Sequence, residues 1–364
     1  LGARLYPLTA ASLADLMRAM NCYYSNLIEG HNTRPRDIQR ALSDEPDAEP
    51  ERRNLQLEAR AHIRVQEQIA QLHAKGELGE PAAPSFVASV QEQFYADAPL
   101  DLTTIVDARG TYVMQPGAFR SERRHDNAVG RHVPPSSKFV PAFMDYFEQR
   151  FRLAQLGPAA RIAAVAIAHH RLNYIHPFPD GNGRVSRLVA HAMVLKSGLG
   201  AHSLWSIARG LARGVAERSE YKRMLDLADS PRQSDLDGRG NLSLKALEEF
   251  VTWFCQVMVD QLTFMSNLFD LDALSVRLEL YVTRDLELPP TAAKLALALL
   301  QRGEMPRGDA SVVTSVPERT ARQLLSRLID SGLVASSTPK GPVSLRFDTT
   351  SAETLFPRLF PAQG

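Results

Sequence analysis

Apolar residues recur at spacings of three and four along most of the 364-residue chain, and this periodicity restricts the fold more than any other feature of the sequence. A stripe near the N-terminus consists of Leu13, Leu16, Met17, Met20, Tyr24, Leu27 and Ile28. This spacing places the side chains on one face of an α-helix, and Gly30 is a typical residue for the position that follows a helix end. The periodicity therefore predicts a mainly α-helical protein.

The same periodicity predicts further helices over 55–75, 85–95, 139–152, 159–173, 185–196, 204–214, 221–228 and 244–269. Between 110 and 135 the pattern changes to short β-prone pieces, at 111–114 and 128–133. The residues that interrupt them are Gly117, Gly130, Pro134 and Pro135. Because glycine and proline at such intervals favour turns, we expect a loop and a β-hairpin in this region.

The last part of the chain has its own order of elements. The pattern there predicts helices over 292–301, 309–315 and 318–331, then strands over 333–336 and 343–347. This order resembles a winged helix-turn-helix. Its last helix presents side chains that are chemically able to meet a DNA major groove, namely Arg319, Thr320, Arg322, Gln323 and Arg327. Residues 288–347 carry a net charge of only +4, and winged helices also bind proteins, so a DNA partner and a protein partner both remain open.

The composition excludes several classes of protein. The chain is 44% apolar and carries 42 basic against 41 acidic residues, which excludes a disordered chain. No stretch reaches the ~18 apolar residues that a membrane-spanning helix needs. With Cys22 and Cys255 as the only cysteines, the chain cannot build a disulfide framework or a four-cysteine zinc site. The first residues lack the pattern of an export signal, so we expect a cytoplasmic protein with no membrane partner.

The segment HPFPDGNGRVSR, residues 176–187, concentrates chemically active side chains. Gly181, Asn182 and Gly183 precede a predicted helix, whose first amides have no partner within the helix. This turn can present several N–H groups to an anion, and the helix dipole favours the negative charge. Arg184 and Arg187 stand three apart beside it, where each can bind phosphate oxygens. The segment therefore predicts a seat for more than one phosphate.

Two other side chains of this segment suggest the reaction. Asp180 offers a hard oxygen ligand where a magnesium ion that bridges two phosphates would lie. His176 is the nearby side chain that can accept a proton near neutral pH. The residues together predict transfer of a phosphorus-centred group from a magnesium nucleotide to a protein hydroxyl.

The segment 176–187 resembles the signature of the Fic family, which is His-Pro-Phe, any residue, Asp or Asn, Gly-Asn-Gly-Arg, any two residues, Arg. The resemblance implies a Fic-fold helical core with a β-hairpin flap, and transfer of AMP from Mg-ATP to a Ser, Thr or Tyr hydroxyl of a target protein. The resemblance implies that His176 is the base, that Phe178 anchors the loop and that Asp180 is the magnesium ligand. It implies an anion seat formed by Gly181, Asn182 and Gly183. It also implies that Arg184 binds the β-phosphate and Arg187 the γ-phosphate. Gly183 argues against the kinase-like branch, which has lysine there.

The segment 25–30, Ser-Asn-Leu-Ile-Glu-Gly, resembles the inhibitory motif of the family, in the subclass with an N-terminal inhibitory helix. Glu29 would lie at the negative end of a helix dipole, which costs about 0.3–1 kcal/mol at an exposed site. A salt bridge to Arg187 would offset this cost and would occupy the arginine that the γ-phosphate needs. The resemblance therefore implies autoinhibition through Ser25, Glu29 and Gly30, and Glu29 could also serve removal of AMP.

The resemblance suggests further roles. Gly117, Phe119 and Arg120, with 129–135 and 139–147, resemble the flap region, which could register a target backbone by strand addition. A surface loop at 129–135 is the equal alternative. Tyr221 would line the nucleotide base, although a tyrosine at helical spacing is more often a core residue. Relatives often form homodimers.

These features divide the chain into four predicted regions. They are an N-terminal helical region at 1–100 with the inhibitory helix at about 12–30, a Fic core at 101–270, a linker at 271–287 and a winged helix-turn-helix domain at 288–350. Two alternatives to AMP transfer remain. One is a transcriptional regulator that uses the core as a nucleotide sensor, and the other is transfer of a different group, such as UMP or phosphocholine.

Overall fold

A computed structural model of the chain describes residues 5–31, 33–42, 47, 49–107, 110–126, 128 and 130–360. It is mainly helical, as the periodicity predicts. The α-helices are α1 (Pro7–Glu29), α2 (Pro35–Leu42), α3 (Pro50–Ala74), α4 (Pro84–Tyr95), α5 (Leu100–Thr103), α6 (Val140–Phe151), α7 (Pro158–Ile175), α8 (Asn182–Val194), α9 (Ile207–Arg213), α10 (Glu220–Ala228), α11 (Leu244–Leu268), α12 (Leu271–Leu280), α13 (Pro290–Arg302), α14 (Ala310–Thr314), α15 (Glu318–Asp330) and α16 (Ala352–Leu355).

The other elements are short. The strands are β1 (Thr104–Asp107), β2 (Gly110–Val113), β3 (Glu304–Met305), β4 (Val334–Ala335) and β5 (Val343–Leu345). Single 3₁₀ turns lie at Arg123–His125, Ser137–Phe139, Leu153–Gln155, Ala201–Ser203 and Arg307–Asp309, and π-helical turns at Leu195–Leu199 and Tyr281–Asp285. None of the described helices combines the length and the apolar character that a membrane-spanning segment needs.

The chain forms two compact units whose boundaries differ from the predicted regions. One unit contains the described parts of Leu1–Met20, Ala201–Trp205 and Leu262–Gly364. The other contains the described parts of Asn21–Gly200 and Ser206–Gln261. Residues 5–20 thus group with the C-terminal part of the chain, through contacts such as the hydrogen bond from the backbone N–H of Phe347 to Oγ of Ser12, 3.1 Å. Hydrophobic periodicity predicts a helix but not its packing partner, so the sequence could not give this grouping.

The larger unit is built around α8. This helix packs against α3, α4, α7 and α9, and all of its residues except Gly183 are buried. Its neighbour α7 contributes small buried side chains, such as Ala164, Ala166 and Ala168, which allow the two helix backbones to approach closely. The first turn of α8 is therefore held firmly by the surrounding helices.

A hairpin and an irregular segment follow α5. Strands β1 and β2 pair in antiparallel register, with Thr104 opposite Val113 and Asp107 opposite Gly110. The hairpin prediction is confirmed at 111–114, where β2 lies. The described part of 128–133 forms no strand. In this segment the Nδ1 of His132 lies 2.8 Å from Oδ2 of Asp229. Val129, the first residue of the predicted flap segment 129–135, lies outside the described residues.

The smaller unit contains the helices and strands predicted near the C-terminus. Strands β3, β5 and β4 form an antiparallel sheet in that order, with Met305 opposite Val343 and Val334 opposite Leu345. Helix α15 directs Ala321, Leu324, Leu325 and Leu328 inward, so the face predicted to be apolar is the buried one.

The segment 271–287, predicted as a linker, is mostly helical. Helix α12 begins after Asp270, whose side chain accepts a hydrogen bond from the backbone N–H of Ala273 at 3.0 Å. Leu274 and Leu278 are fully buried, so the segment has a core face of its own. The sequence predicted a linker here because the buried face of α12 covers only two helical turns and the apolar pattern that follows it, at 283–290, is weak.

We expect the stabilising effect of the Asp270 N-cap to be measurable. Asp270→Ala should destabilise the start of α12 by about 1 kcal/mol, since it removes an N-cap acceptor. The amide of Ala273 should then exchange hydrogen several-fold faster, as measured by mass spectrometry or NMR. Asp270→Asn keeps an acceptor and should leave the rate nearly unchanged. Equal rates in Asp270→Ala and the parent chain would contradict the capping assignment.

Candidate active site

The segment 176–187 forms the turn between α7 and the first turn of α8. His176 follows α7 in a left-handed backbone conformation, with φ 49° and ψ 59°. Gly181 precedes α8 with φ 82°, and a Cβ at this position would lie 2.9 Å from the ring of Tyr95. Glycine is thus required at 181 both by conformation and by the contact. The turn directs the first amides of α8 away from the helix.

Asn182 holds the turn closed from inside. Its Oδ1 accepts a hydrogen bond from the backbone N–H of Phe178 at 2.9 Å, and its Nδ2 donates to the carbonyl of Phe178 at 2.8 Å. Phe178 is fully buried and contacts Phe119, with ring centroids 5.1 Å apart. The side chain of Asn182 therefore organises the turn, and its contribution to an anion seat would come from the backbone.

Arg187 is paired with the end of α1. The guanidinium donates to Oε1 of Glu29 at 2.5 Å and to Oγ of Ser25 at 2.9 Å, and Arg187 is only 3% exposed. Burial alone would raise the pKa of Glu29, but the charge of Arg187 and its hydrogen bond outweigh this effect and lower the pKa. The carboxylate is therefore ionised, and the salt bridge predicted from the sequence is present.

The same carboxylate lies over the mouth of α8. A Cβ built on Gly183 would lie 2.5 Å from Oε1 of Glu29. Gly30 has φ 91° and donates to the carbonyl of Leu27 at 3.1 Å, while His31 donates to the carbonyl of Asn26 at 3.0 Å. This pattern is a Schellman C-cap, and it fixes the end of α1 where Glu29 meets Arg187.

Arg184 and Asp180 belong to a second cluster. The Nη2 of Arg184 donates to Oδ2 of Asp180 at 3.0 Å and to the hydroxyl of Tyr95 at 2.9 Å, and Nη1 donates to Glu58. The Tyr95 hydroxyl donates to Oδ2 of Asp180 at 2.6 Å. Burial alone would raise the pKa of Asp180, but Arg184 and Tyr95 outweigh it and lower the pKa. Asp180 is therefore an ionised carboxylate whose side chain is 51% exposed.

A cavity of about 520 Å³ adjoins the turn, a volume within the usual range for small-molecule sites. Its walls include Glu29, His176, Gly183, Arg187 and Tyr221. Asp180 and Arg184 are not among the lining residues. The structure thus brings the imidazole of His176, the guanidinium of Arg187 and the carboxylate of Glu29, which the sequence predicts to be inhibitory, to one cavity. Asp180 and Arg184 lie beside it.

His176 is poised as a neutral imidazole. Burial, together with the positive charges of Arg120 and His132, lowers its pKa to about 4. The group is therefore unprotonated at neutral pH and can accept a proton from a hydroxyl in the cavity.

Tyr221 lines the cavity from α10. Its hydroxyl lies 2.8 Å from Nε2 of His169, and its ring is parallel to that of Trp253 within 18°. Tyr221 is 5% exposed, so it combines a core position with one face on the cavity. From the other side of the cavity, Gly130 and His132 of the predicted flap segment also contribute to the wall.

The sequence interpretation missed Glu58 and Tyr95. Both are buried, at 8% and 2% exposure, and both hold Arg184. A signal for Glu58 was available, since it stands four residues before His62 and seven before Val65 and so occupies the buried stripe of α3. A carboxylate on an apolar stripe indicates a buried cationic partner. Tyr95 gave no such signal, because a tyrosine at a helix end is ordinary.

Comparison with known proteins shows a family likeness for part of this region. Residues 99–194 match the model of the Fic/DOC family. A 76-residue segment is 38% identical to a protein adenylyltransferase Fic of Aedes aegypti and 37% identical to one of Drosophila mojavensis. In both cases the match covers 21% of this chain and 15% of the relative, so most of each relative's length is unmatched.

Two solved structures share the fold. A Fic domain containing signaling protein from Bacteroides thetaiotaomicron aligns with a TM-score of 0.51 and 21% identity, over 72% of this chain and 90% of its own. A Fic family protein from Desulfovibrio desulfuricans aligns with a TM-score of 0.51 and 16% identity, over 94% of this chain and 96% of its own. At these identities the comparison establishes the fold alone.

The low pKa of His176 predicts a specific titration. In the folded chain the imidazole should titrate near pH 4, whereas an unfolded histidine titrates near 6.5. Since the unfolded chain then binds more protons between these values, the contribution of His176 to stability should fall as pH drops from about 6.5 to 4. NMR titration checks this, with loss of the signal in His176→Gln as the assignment.

His132 provides the contrast. The Asp229 carboxylate outweighs burial and raises the pKa of His132, so its signal should titrate above the ordinary value. A midpoint for His176 near 6.5 would contradict a buried, cation-flanked imidazole.

Proposed function

This chain carries a Fic/DOC family domain, and we propose that it is a protein adenylyltransferase that transfers AMP from Mg-ATP to a Ser, Thr or Tyr hydroxyl of a target protein. The observation that carries the proposal is the cavity in which His176, Arg187 and the mouth of α8 meet. The named relatives are adenylyltransferases, which agrees with this assignment at the level of the core.

The proposed reaction uses the imidazole of His176 as the base. The target hydroxyl oxygen attacks the α-phosphorus of ATP and forms a P–O bond, and the bond from that phosphorus to the α,β-bridging oxygen breaks. The hydroxyl proton passes to neutral His176, and pyrophosphate leaves. A base whose pKa is about 4 is fully available at neutral pH, although it is a weaker proton acceptor than an ordinary histidine.

The phosphates would be held by the turn and the two arginines. The amides of Gly181, Asn182 and Gly183 lie at the positive end of α8, where an anion is favoured by about 0.3–1 kcal/mol or more. Arg187 would hold the γ-phosphate once Glu29 has left it, and Arg184 the β-phosphate. Positioning and neutralisation of charge would supply most of the catalysis.

Asp180 fits a role as the protein ligand of magnesium. Its carboxylate is ionised and half-exposed, and within the described residues no cluster of three histidine, cysteine, aspartate or glutamate side chains could hold a metal. Magnesium is commonly bound by one or two carboxylates together with substrate phosphates. When bound, the ion would neutralise phosphate charge during the transfer.

The resting chain would be autoinhibited by Glu29. In the resting arrangement Glu29 accepts from Arg187 at 2.5 Å and covers Gly183, so the carboxylate occupies the place and the donor that a γ-phosphate requires. Ser25 reinforces the pair by accepting from Nε of Arg187. A role for Glu29 in removal of AMP, a nucleotide-sensing transcriptional regulator and the transfer of UMP or phosphocholine are the alternatives, and the product of the reaction distinguishes them.

The C-terminal elements would act as a winged helix-turn-helix that binds a partner, for which duplex DNA is the candidate. Support comes from the exposed face of α15, which carries Arg319, Arg322 and Arg327. Arg322 is already paired with Glu318, so Arg319 and Arg327 are the side chains to test. A homodimer and a cytoplasmic location remain predictions.

Glu29→Gly should release the inhibition. With Mg-ATP it should raise auto-AMPylation at least about tenfold, since a hydrogen bond to a charged group contributes about 1.5–3 kcal/mol. The measurement is retention of label from α-labelled but not γ-labelled ATP, with mass spectrometry of the modified residue. Glu29→Gly combined with His176→Ala should be inactive and serves as the matched control.

Each result decides between the alternatives. Equal transfer by the parent and Glu29→Gly would remove the inhibitory role. Retained γ-label would indicate phosphate transfer, and an inactive Glu29→Gly chain that still binds ATP would favour the sensor. Transfer from UTP or a choline nucleotide in preference to ATP would favour the other groups.

For the C-terminal unit, Arg319→Ala with Arg327→Ala should weaken binding of duplex DNA, measured by fluorescence anisotropy. Loss of two phosphate contacts should reduce the slope of log K against log salt by about 2. Lys294→Ala removes an exposed charge from α13 and should have little effect. Binding that is absent, or indifferent to salt, would favour a protein partner.

A further inference from the structure

Arg120 is the largest side chain in the fully buried group, at 2% exposure, and it makes an unusual set of contacts with the end of α7. Its Nε donates to the carbonyl of His176 at 2.7 Å, and its Nη2 donates to the carbonyl of Ile175 at 3.1 Å. The backbone N–H of Arg120 donates to the carbonyl of Pro177 at 2.7 Å. Three successive carbonyls around the candidate base are therefore bound by one residue.

These contacts meet a physical need. The last carbonyls of a helix lack partners within it and form the negative end of its dipole, and the chain leaves α7 at His176. His176 also has φ 49°, a conformation that is costly for a residue with a Cβ and persists only where the surroundings enforce it. Arg120 supplies both the donors for these carbonyls and the constraint on the backbone.

The same guanidinium binds the segment that flanks the cavity. Nη1 donates to Oδ1 of Asp126 at 2.7 Å and Nη2 donates to the carbonyl of Pro135 at 2.9 Å. Asp126 in turn accepts from the backbone N–H of Ser137 at 2.8 Å. Arg120 thus joins both ends of the segment 126–135, which contributes Gly130 and His132 to the cavity wall, to the backbone of the candidate base.

We propose that Arg120, held by Asp126, is a positioning residue. It fixes the distance and orientation between the imidazole of His176 and the segment 126–135 across the cavity. Within the part of the chain that the structure describes, the hydrogen bonds of Arg120 reach the carbonyls of 175–177, Asp126 and Pro135 and do not reach the turn at 181–183. We call the hydrogen bonds of Arg120 to 175–177, Asp126 and Pro135 the clamp. Loss of the clamp should affect the transfer step and leave nucleotide binding nearly intact. The kinetic part of this inference rests on the proposed AMP transfer.

The clamp acts by geometry and by charge, and two variants separate these effects. Arg120→Lys keeps a positive charge but cannot donate to four acceptors at once, because an ammonium lacks the planar fork of a guanidinium. Arg120→Gln removes the charge as well. The charged groups that act on His176 are Arg120, His132 and Asp180. Arg124→Gln is the matched control, since Arg124 is exposed and pairs with Glu122.

The experiment uses the full chain with Glu29→Gly as the active parent. Arg120→Lys should lower kcat for AMP transfer by about ten- to a hundredfold, the loss expected from a misplacement near 1 Å, with KM for ATP within about twofold of the parent. NMR should find His176 still titrating near pH 4 in Arg120→Lys, and at a distinctly higher pH in Arg120→Gln. Arg124→Gln should change neither quantity.

Several outcomes would overturn the inference. These are a kcat for Arg120→Lys within about threefold of the parent, a rise in KM for ATP that matches the loss of kcat, or an unchanged His176 midpoint in Arg120→Gln. If neither Arg120 variant folds, as judged by thermal melting, Asp126→Asn decides the question, with a several-fold loss of kcat expected and no loss contradicting the clamp. A Glu29→Gly parent that transfers no AMP would contradict the proposed function. The titration of His176 in the Arg120 variants would still test the role of Arg120.

Discussion

Two buried guanidinium groups at the mouth of α8 determine much of the remaining structure. Arg184 and Arg187 are 7% and 3% exposed, and an unpaired charge at such burial costs several kcal/mol. Each cation therefore needs an anion at all times. Glu58 and Asp180 supply it for Arg184, and Glu29 supplies it for Arg187.

This requirement would connect the proposed catalysis with the proposed inhibition. A triphosphate at the turn would provide the negative charge that the protein now provides itself, so binding is an exchange of one anion for another. The two arginines differ in how readily they can make this exchange. Glu29 is the last residue of α1 and its side chain is 32% exposed, whereas the side chain of Glu58, within α3, is only 9% exposed. Release at Arg187 would need only the end of a helix to move, which would make Arg187 the point of control in the proposed inhibition.

The sequence predicted the helices and the turn because each depends on local information. It predicted the Glu29–Arg187 pair, whose members are 158 residues apart, through the resemblance of 25–30 and 176–187 to two family motifs. Periodicity gives a helix, glycines at 181 and 183 give a turn, and a glutamate at a helix end calls for a cation. It did not predict Tyr95 as a partner of Asp180, or the helical segment at 271–280, or the grouping of residues 5–20 with the C-terminal unit. These depend on contacts between distant parts of the chain, such as the 85 residues that separate Tyr95 from Asp180.

The pKa and the backbone geometry of His176 depend on residues outside the motif. The motif specifies an imidazole next to a glycine turn, but an imidazole with an ordinary pKa would be partly protonated near neutral pH. Burial and the cations Arg120 and His132 lower the pKa to about 4, and both cations come from a part of the chain 40 or more residues earlier. Since Arg120 also holds the backbone of His176, one buried side chain contributes both the electrostatic environment and the geometry of the candidate base. The residues before the motif are therefore as much a part of the site as the motif itself.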